Sequence, residues 1–211
     1  MLIKVCGMTR ADNIRQVEYL GVDMMGFIFY PKSPRCVREV PGYLPVRARR
    51  VGIFVNESEA EMLRIARLFD LDYLQLHGEE SPAQCRSLQS AGYQVIKSVT
   101  VATAPAYSPV ADLLLFDTPT PAYGGSGARF DWSLLPQYRG DTPFLLSGGI
   151  SPDSVAAIKD FHHPRFVGID LNSRFEKEPG IKDPDLLRPF LAALTPQCLT
   201  DHDKEACPLA L

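Results

Sequence analysis

Short apolar runs alternate with segments of helical period along the chain, and the alternation repeats eight times. The runs at Ile3–Cys6, Met24–Phe29, Arg50–Val55, Tyr73–His77, Gln94–Ser98, Leu113–Asp117, Phe144–Ser147 and Phe166–Asp170 read as strands. They are rich in Val, Ile, Leu and Phe, and each is bounded by turn-forming residues. Between them the helix signals have identifiable mechanisms. Thr9 is predicted to cap a helix carrying Ile14, Val17 and Leu20, with Gly21 just past its end. Asn56 and Glu59 read as a capping pair ahead of Met62, Ile65, Ala66 and Phe69. Ser81-Pro82, Ser151-Pro152 and Asp183-Pro184 each set a cap before a proline at the first helical position. Prolines break the segments Pro41–Pro45 and Ala102–Pro109, so the helices after the second and fifth strands are expected to be short or missing.

Strict strand–helix alternation implies a parallel sheet with crossovers. Eight such units predict an α/β fold of the TIM (β/α)8 barrel type, a single domain over residues 1–195, with a tail of unknown role over 196–211. An open doubly wound sheet is the alternative, but it usually has fewer strands, and no GxGxxG follows the first one.

Composition narrows the functional classes. The 211 residues are 45% hydrophobic with a net charge of −3, so there is no broad basic field to attract nucleic acid. No run approaches the roughly 20 apolar residues of a membrane span, and the N-terminus turns polar too soon for a secretory signal. Cys6, Cys36, Cys85, Cys198 and Cys207 form no CxxC pair, and the four histidines show no HExxH spacing. That pattern suits a reducing cytosol, with neither a disulfide framework nor a metal site. The expectation is a cytoplasmic protein without a cofactor, either monomer or homodimer.

In a barrel of this kind chemistry gathers where the strands end. Cys6, Asn56, His77, Asp117, Ser147 and Asp170 stand at those ends. Side chains alternate along a strand, so Lys4 and Cys6 point the same way, and the ammonium is expected to lower the thiol's pKa. Cys6 then reads either as a base or nucleophile, or as a small buried hydrophobe. Asp117 closes the apolar run LLLFD and reads either as a general acid or as a loop-ordering carboxylate. Asp170, closing GID, suits sugar hydroxyls or a structural hydrogen bond. Gly125 and Gly127 in YGGSG and Gly148 and Gly149 in SGGI let backbone N–H groups approach an anion closely. With Asn172 and Ser173 after the eighth strand, they make a predicted phosphate site, to which Arg174 offers a possible guanidinium. Arg35, ending a loop after the second strand that Pro31 and Pro34 stiffen, suits a planar carboxylate or bulk solvent.

These residues together resemble the phosphoribosylanthranilate isomerase family of tryptophan biosynthesis. The resemblance rests on KVCGMT, GFIFYPKSPR, VGIFVN, QLHG, FDTPTPAYGGSGARFDW, LSGGI, GIDLNSRFE and PGIKD, which run in order from residue 4 to residue 183. It implies an Amadori rearrangement of N-(5-phosphoribosyl)anthranilate to 1-(2-carboxyphenylamino)-1-deoxyribulose 5-phosphate. It also implies that Cys6 is the general base, Asp117 the general acid, and Arg35 the partner of the anthranilate carboxylate. The family often carries an SSG-type turn where this chain has Asn172-Ser173-Arg174-Phe175, a departure that bears on the phosphate site. Two other readings fit a similar barrel: a related aminoaldose-phosphate isomerase of the histidine pathway, which uses an aspartate where Cys6 stands, and a sugar-phosphate binding barrel without catalysis.

Overall fold

The computed structural model describes residues 1–117 and 131–194. Eight strands, β1 (Leu2–Val5), β2 (Met24–Ile28), β3 (Arg49–Phe54), β4 (Tyr73–Leu76), β5 (Gln94–Val99), β6 (Leu113–Phe116), β7 (Phe144–Leu146) and β8 (Phe166–Leu171), close into a barrel in chain order. Every neighbouring pair is parallel, and the ring closes where Leu2 through Val5 of β1 pair with Gly168 through Leu171 of β8. Strands such as Leu113–Phe116 are buried at every position because both faces are covered, one by the barrel interior and one by helices. This is the expected (β/α)8 architecture.

Two apolar layers result. Inside the barrel, Met24, Val51, Ile53, Ile96, Leu113, Leu115 and Leu145 pack together, with Cys6 at the upper edge. Outside, α1 (Ala11–Glu18) buries Ile14 and Val17, α2 (Glu59–Phe69) buries Met62, Ile65, Ala66 and Phe69, and α3 (Pro82–Ser90) buries Cys85 and Leu88. The short helices α4 (Ala104–Tyr107) and α5 (Val155–Asp160) follow, and α6 (Pro184–Leu194) buries Leu187 and Phe190. No helix of the described residues is long and apolar enough to cross a membrane.

The proline-broken segments behave as their sequence demands. No helix connects β2 to β3, and α4 has only four residues. Glu18 at the end of α1 does the work of the missing helix. Its carboxylate accepts from the backbone N–H groups of Val46, Arg47 and Ala48 and from Tyr43 Oη, tying the β2–β3 connection to the barrel.

Two of the predicted caps are wrong, and for a common reason. Thr9 does not cap α1; its Oγ1 donates to Gly180 O 2.8 Å away, and Arg10 holds the N-cap position. Asn56 does not cap α2 either; Ser58 does, accepting from Glu61 N. Asn56 has a left-handed φ of 52°, and its Oδ1 accepts from Glu79 N at 2.7 Å. In each case a distant loop outbid the adjacent helix for the side chain. Ser81 forms the expected capping box with Gln84, and Asp183 accepts from Asp185 N at the start of α6. The proposed 196–211 tail lies outside the described residues.

Candidate active site

The polar residues of the strand ends converge on the mouth of the barrel. Lys4 is fully buried, and its Nζ donates to Asp170 Oδ2 at 2.8 Å. The two residues are register partners on β1 and β8, so adjacent strands deliver them to one level of the barrel interior. Burial alone would lower the Lys4 pKa, but Asp170 and Cys6 beside it outweigh burial and hold it above its ordinary value. Asp170 Oδ1 is buried and has no hydrogen-bond partner among the described residues.

Cys6 sits one alternation above Lys4, as its spacing requires. Gly26 on β2 makes room for it: a Cβ there would fall 2.9 Å from Cys6 Sγ and 2.8 Å from Ile53 Cδ1. The thiol's pKa is raised, not lowered as the sequence suggested. Burial is the largest influence, and it outweighs the pull of Lys4, Lys182 and Arg35 toward the thiolate. The ammonium is where it was expected; the loss of water around the sulfur was not legible.

Asp117 follows β6, separated from β1 around the ring by β7 and β8. Its Oδ2 lies 3.5 Å from His77 Nε2. His77 has its pKa lowered to about 4, first by burial and then by Lys4 and Lys97, so its ring is neutral at neutral pH. Gln75 Nε2, which can only donate, is 3.1 Å from Nδ1, and Ser98 Oγ is 2.7 Å from the same atom. With the Gln75 amide in this orientation, Nδ1 is the acceptor and the ring's proton is on Nε2, turned toward Asp117. The contact is a dipole against a carboxyl group and not an ion pair.

Arg35 is tied down. Its Nε lies 2.9 Å from Glu176 Oε1, and its Nη2 lies 2.7 Å from Oε2, in a bidentate fork. Glu176 opens a two-stranded hairpin after β8, β9 (Glu176–Glu178) with β10 (Ile181–Lys182). The same Oε1 accepts from Lys182 Nζ at 2.5 Å, and Lys182 also donates to Asn172 Oδ1 at 2.8 Å. Gly7, at φ 78°, lies beneath this cluster: a Cβ there would come 2.7 Å from Arg35 Cδ and 2.9 Å from Asn172 Oδ1. The guanidinium is thus beside Cys6 and not in bulk solvent.

Gly148 and Gly149 follow β7 with left-handed φ values of 80° and 69°. Ser173 starts a 3₁₀ turn, Ser173–Phe175, directly after β8, and Arg174 in that turn is exposed. Gly125 and Gly127 lie outside the described residues.

The profile of the family N-(5'phosphoribosyl)anthranilate (PRA) isomerase matches residues 3–193. The chain belongs to that family. Among relatives, the N-(5'-phosphoribosyl)anthranilate isomerase of Parabacteroides distasonis is 49% identical over 203 residues, covering 90% of this chain and 92% of the relative. The crystal structure of the Thermus thermophilus phosphoribosyl anthranilate isomerase is similar with a TM-score of 0.80 at 30% identity, covering 92% of this chain and 98% of that one. A phosphoribosyl anthranilate isomerase solved in complex with reduced 1-(o-carboxyphenylamino)-1-deoxyribulose 5-phosphate gives 0.74 at 32% identity, with the same coverage.

For this member of the isomerase family, sequence reasoning missed the groups that surround Cys6, Asp117 and Arg35. Gln75, Glu176 and Lys182 were assigned no role, and His77 was noted only as one polar strand end among several. The inward side of β4 was a usable signal, since Tyr73, Gln75 and His77 share it. For Glu176 and Lys182 the signal was weaker. A charged pair in a short hairpin reads as surface, and only the return of that hairpin across the barrel mouth buries it. Asn172, expected at the phosphate, instead turns its side-chain oxygen toward Lys182.

Proposed function

We propose that the chain carries out its family's Amadori rearrangement with Cys6 as general base and Asp117 as general acid. The single observation carrying this is the placement of a thiol and a carboxyl group on opposite sides of one polar barrel mouth, each with its own set of ionic or dipolar neighbours. Asp117, in its protonated form, donates to the ribose ring oxygen as the C1–O bond breaks. The anilino nitrogen supplies the electron pair, giving a Schiff base. Cys6, as thiolate, then takes the C2 proton, which the adjacent iminium acidifies. The enolamine so formed gains a proton at C1 and loses one from the C2 hydroxyl, yielding the ketone. The electron sink is the substrate's own nitrogen, so the chemistry calls for no cofactor.

The raised pKa of Cys6 fits this role. A buried thiol is a stronger base once ionised, and the iminium brings a further positive charge to its side. His77 Nε2–H, fixed by Gln75 and Ser98, orients Asp117. Asp170 presents its unpartnered oxygen to a sugar hydroxyl while Lys4 holds the other. Arg35 receives the anthranilate carboxylate. The backbone N–H groups around Gly148, Gly149 and Ser173, joined by those of Gly125 and Gly127, take the phosphate, and Asn172 serves this loop by fixing its position. The free thiols of Cys6, Cys36 and Cys85 support placement in the cytosol.

The test is turnover of N-(5-phosphoribosyl)anthranilate by the wild type, Cys6→Ala and Asp117→Asn. Each variant should lose roughly 10²–10⁴-fold in kcat while still binding the reduced product analogue. Wild-type-like kcat in either variant rejects the assignment. A soluble wild type without turnover would favour the binding-barrel reading.

A further inference from the structure

The cluster beneath the β9–β10 hairpin has an unusual charge balance. Arg35, Glu176 and Lys182 are all buried or nearly so, with side-chain exposures of 10%, 4% and 0%. Two cations share one carboxylate, so the group carries a net charge of +1 at the mouth of the barrel. Neighbouring charges do not cancel it. Lys4 and Asp170 neutralise one another, and burial favours the Cys6 thiol before substrate binds. Lys97 and Glu80 form a separate buried pair below the β4 loop. A buried excess charge is costly unless an anion meets it.

The geometry says where that anion goes. Glu176 occupies the Nε and Nη2 edge of Arg35, which leaves the Nη1 edge outside the fork. Glu176 alone would hold the guanidinium rigid yet cancel its charge. Lys182, 2.5 Å from the same carboxylate, offsets that cancellation, and its tie to Asn172 fixes it in place.

We propose that Glu176 and Lys182 are positioning residues that turn Arg35 into a receptor for the substrate's aromatic carboxylate, Glu176 by fixing its orientation and Lys182 by restoring its net charge. The inference rests on the proposed function and extends it to substrate choice. The trio selects a phosphorylated aminosugar bearing an ortho-carboxylate over one without it. Lys182 need not touch the ligand; it acts through Glu176 and Arg35.

Two probes isolate the effect: reduced 1-(o-carboxyphenylamino)-1-deoxyribulose 5-phosphate, and the same compound lacking the carboxylate. Their dissociation constants are measured by calorimetry for the wild type, Lys182→Met, Lys182→Gln and Lys182→Arg. Loss of the charge should weaken the carboxylate-bearing probe by about tenfold or more and leave the other within about twofold. Lys182→Arg should keep most of the discrimination. If Lys182→Met is too unstable to purify, Lys182→Gln removes the same charge while retaining a donor. Equal weakening of both probes, or no change in their ratio, overturns the inference and reduces Lys182 to a structural pin. Absence of turnover in the wild type would instead overturn the proposed function, so the two failures are distinguishable.

Discussion

At the scale of single residues, the site is governed by what burial does to ordinary groups. His77 is the clearest case. Its ring stays neutral in the folded chain to about pH 4, whereas on unfolding it returns to a value near 6.5. As pH falls through that interval, the unfolded chain takes up a proton that the folded chain refuses. This contribution to stability is therefore constant above about pH 6.5 and is lost progressively below it. The expected cost is of order 2 kcal/mol by about pH 4.5. Urea titrations at pH 7 and pH 4.5 check it. His77→Asn should lose distinctly less stability than the wild type between the two, and identical losses would mean that other groups dominate the acid limb. Cys6 teaches the same lesson from the opposite side. The motif put a lysine next to a thiol and suggested a thiolate, but three nearby cations do not compensate for the water removed.

At the scale of elements, local signals proved reliable where no remote partner competed for the same side chain. Ser81 is such a case: its Oγ accepts from Gln84 N, and Gln84 Oε1 accepts from Ser81 N, a closed local exchange at the start of α3. Ser81→Ala should cost about 1 kcal/mol and lower Tm by a few degrees without changing kcat, which thermal melts and the isomerase assay would resolve. Thr9 and Asn56 carry equally good local signals, yet the hairpin at Gly180 and the β4 loop claim them. The loops at the barrel mouth are thus bound to one another by the very residues expected to cap helices. Asn56, Gly78, Glu80 and Lys97 form one such knot: Glu80 accepts from Asn56 N and Gly78 N, while the buried Lys97 donates to Gly78 O and Glu80. A lysine in β5 reads as surface until the adjacent loop folds over it.

At the scale of the whole molecule, closure of the ring is the decisive event, and it depends on the β1–β8 seam. Gly168 sits in that seam, where a Cβ would lie 2.1 Å from Leu2 O, a backbone atom that cannot swing away. Gly168→Ala should therefore destabilise the barrel by about 1–3 kcal/mol or more, seen as a lower urea midpoint. An unchanged midpoint would show that the seam can open without penalty. The same closure explains which features could be read from the chain alone. Alternating apolar runs determined eight strands and their order, because each run buries itself locally against the next. The proline-rich gaps likewise determined where helices fail, since proline acts on its own backbone. Residue types at the strand ends singled out Cys6 and Asp117 as the candidate pair. What only the tertiary structure decided are the relations across the mouth: the neutral His77 facing Asp117, the raised pKa of Cys6, and the cluster of Arg35, Glu176 and Lys182. Those depend on desolvation and on contacts between residues far apart in the chain, such as Arg35 and Glu176, 141 positions apart. Neither exists until the ring has closed and the hairpin after β8 has folded back over it.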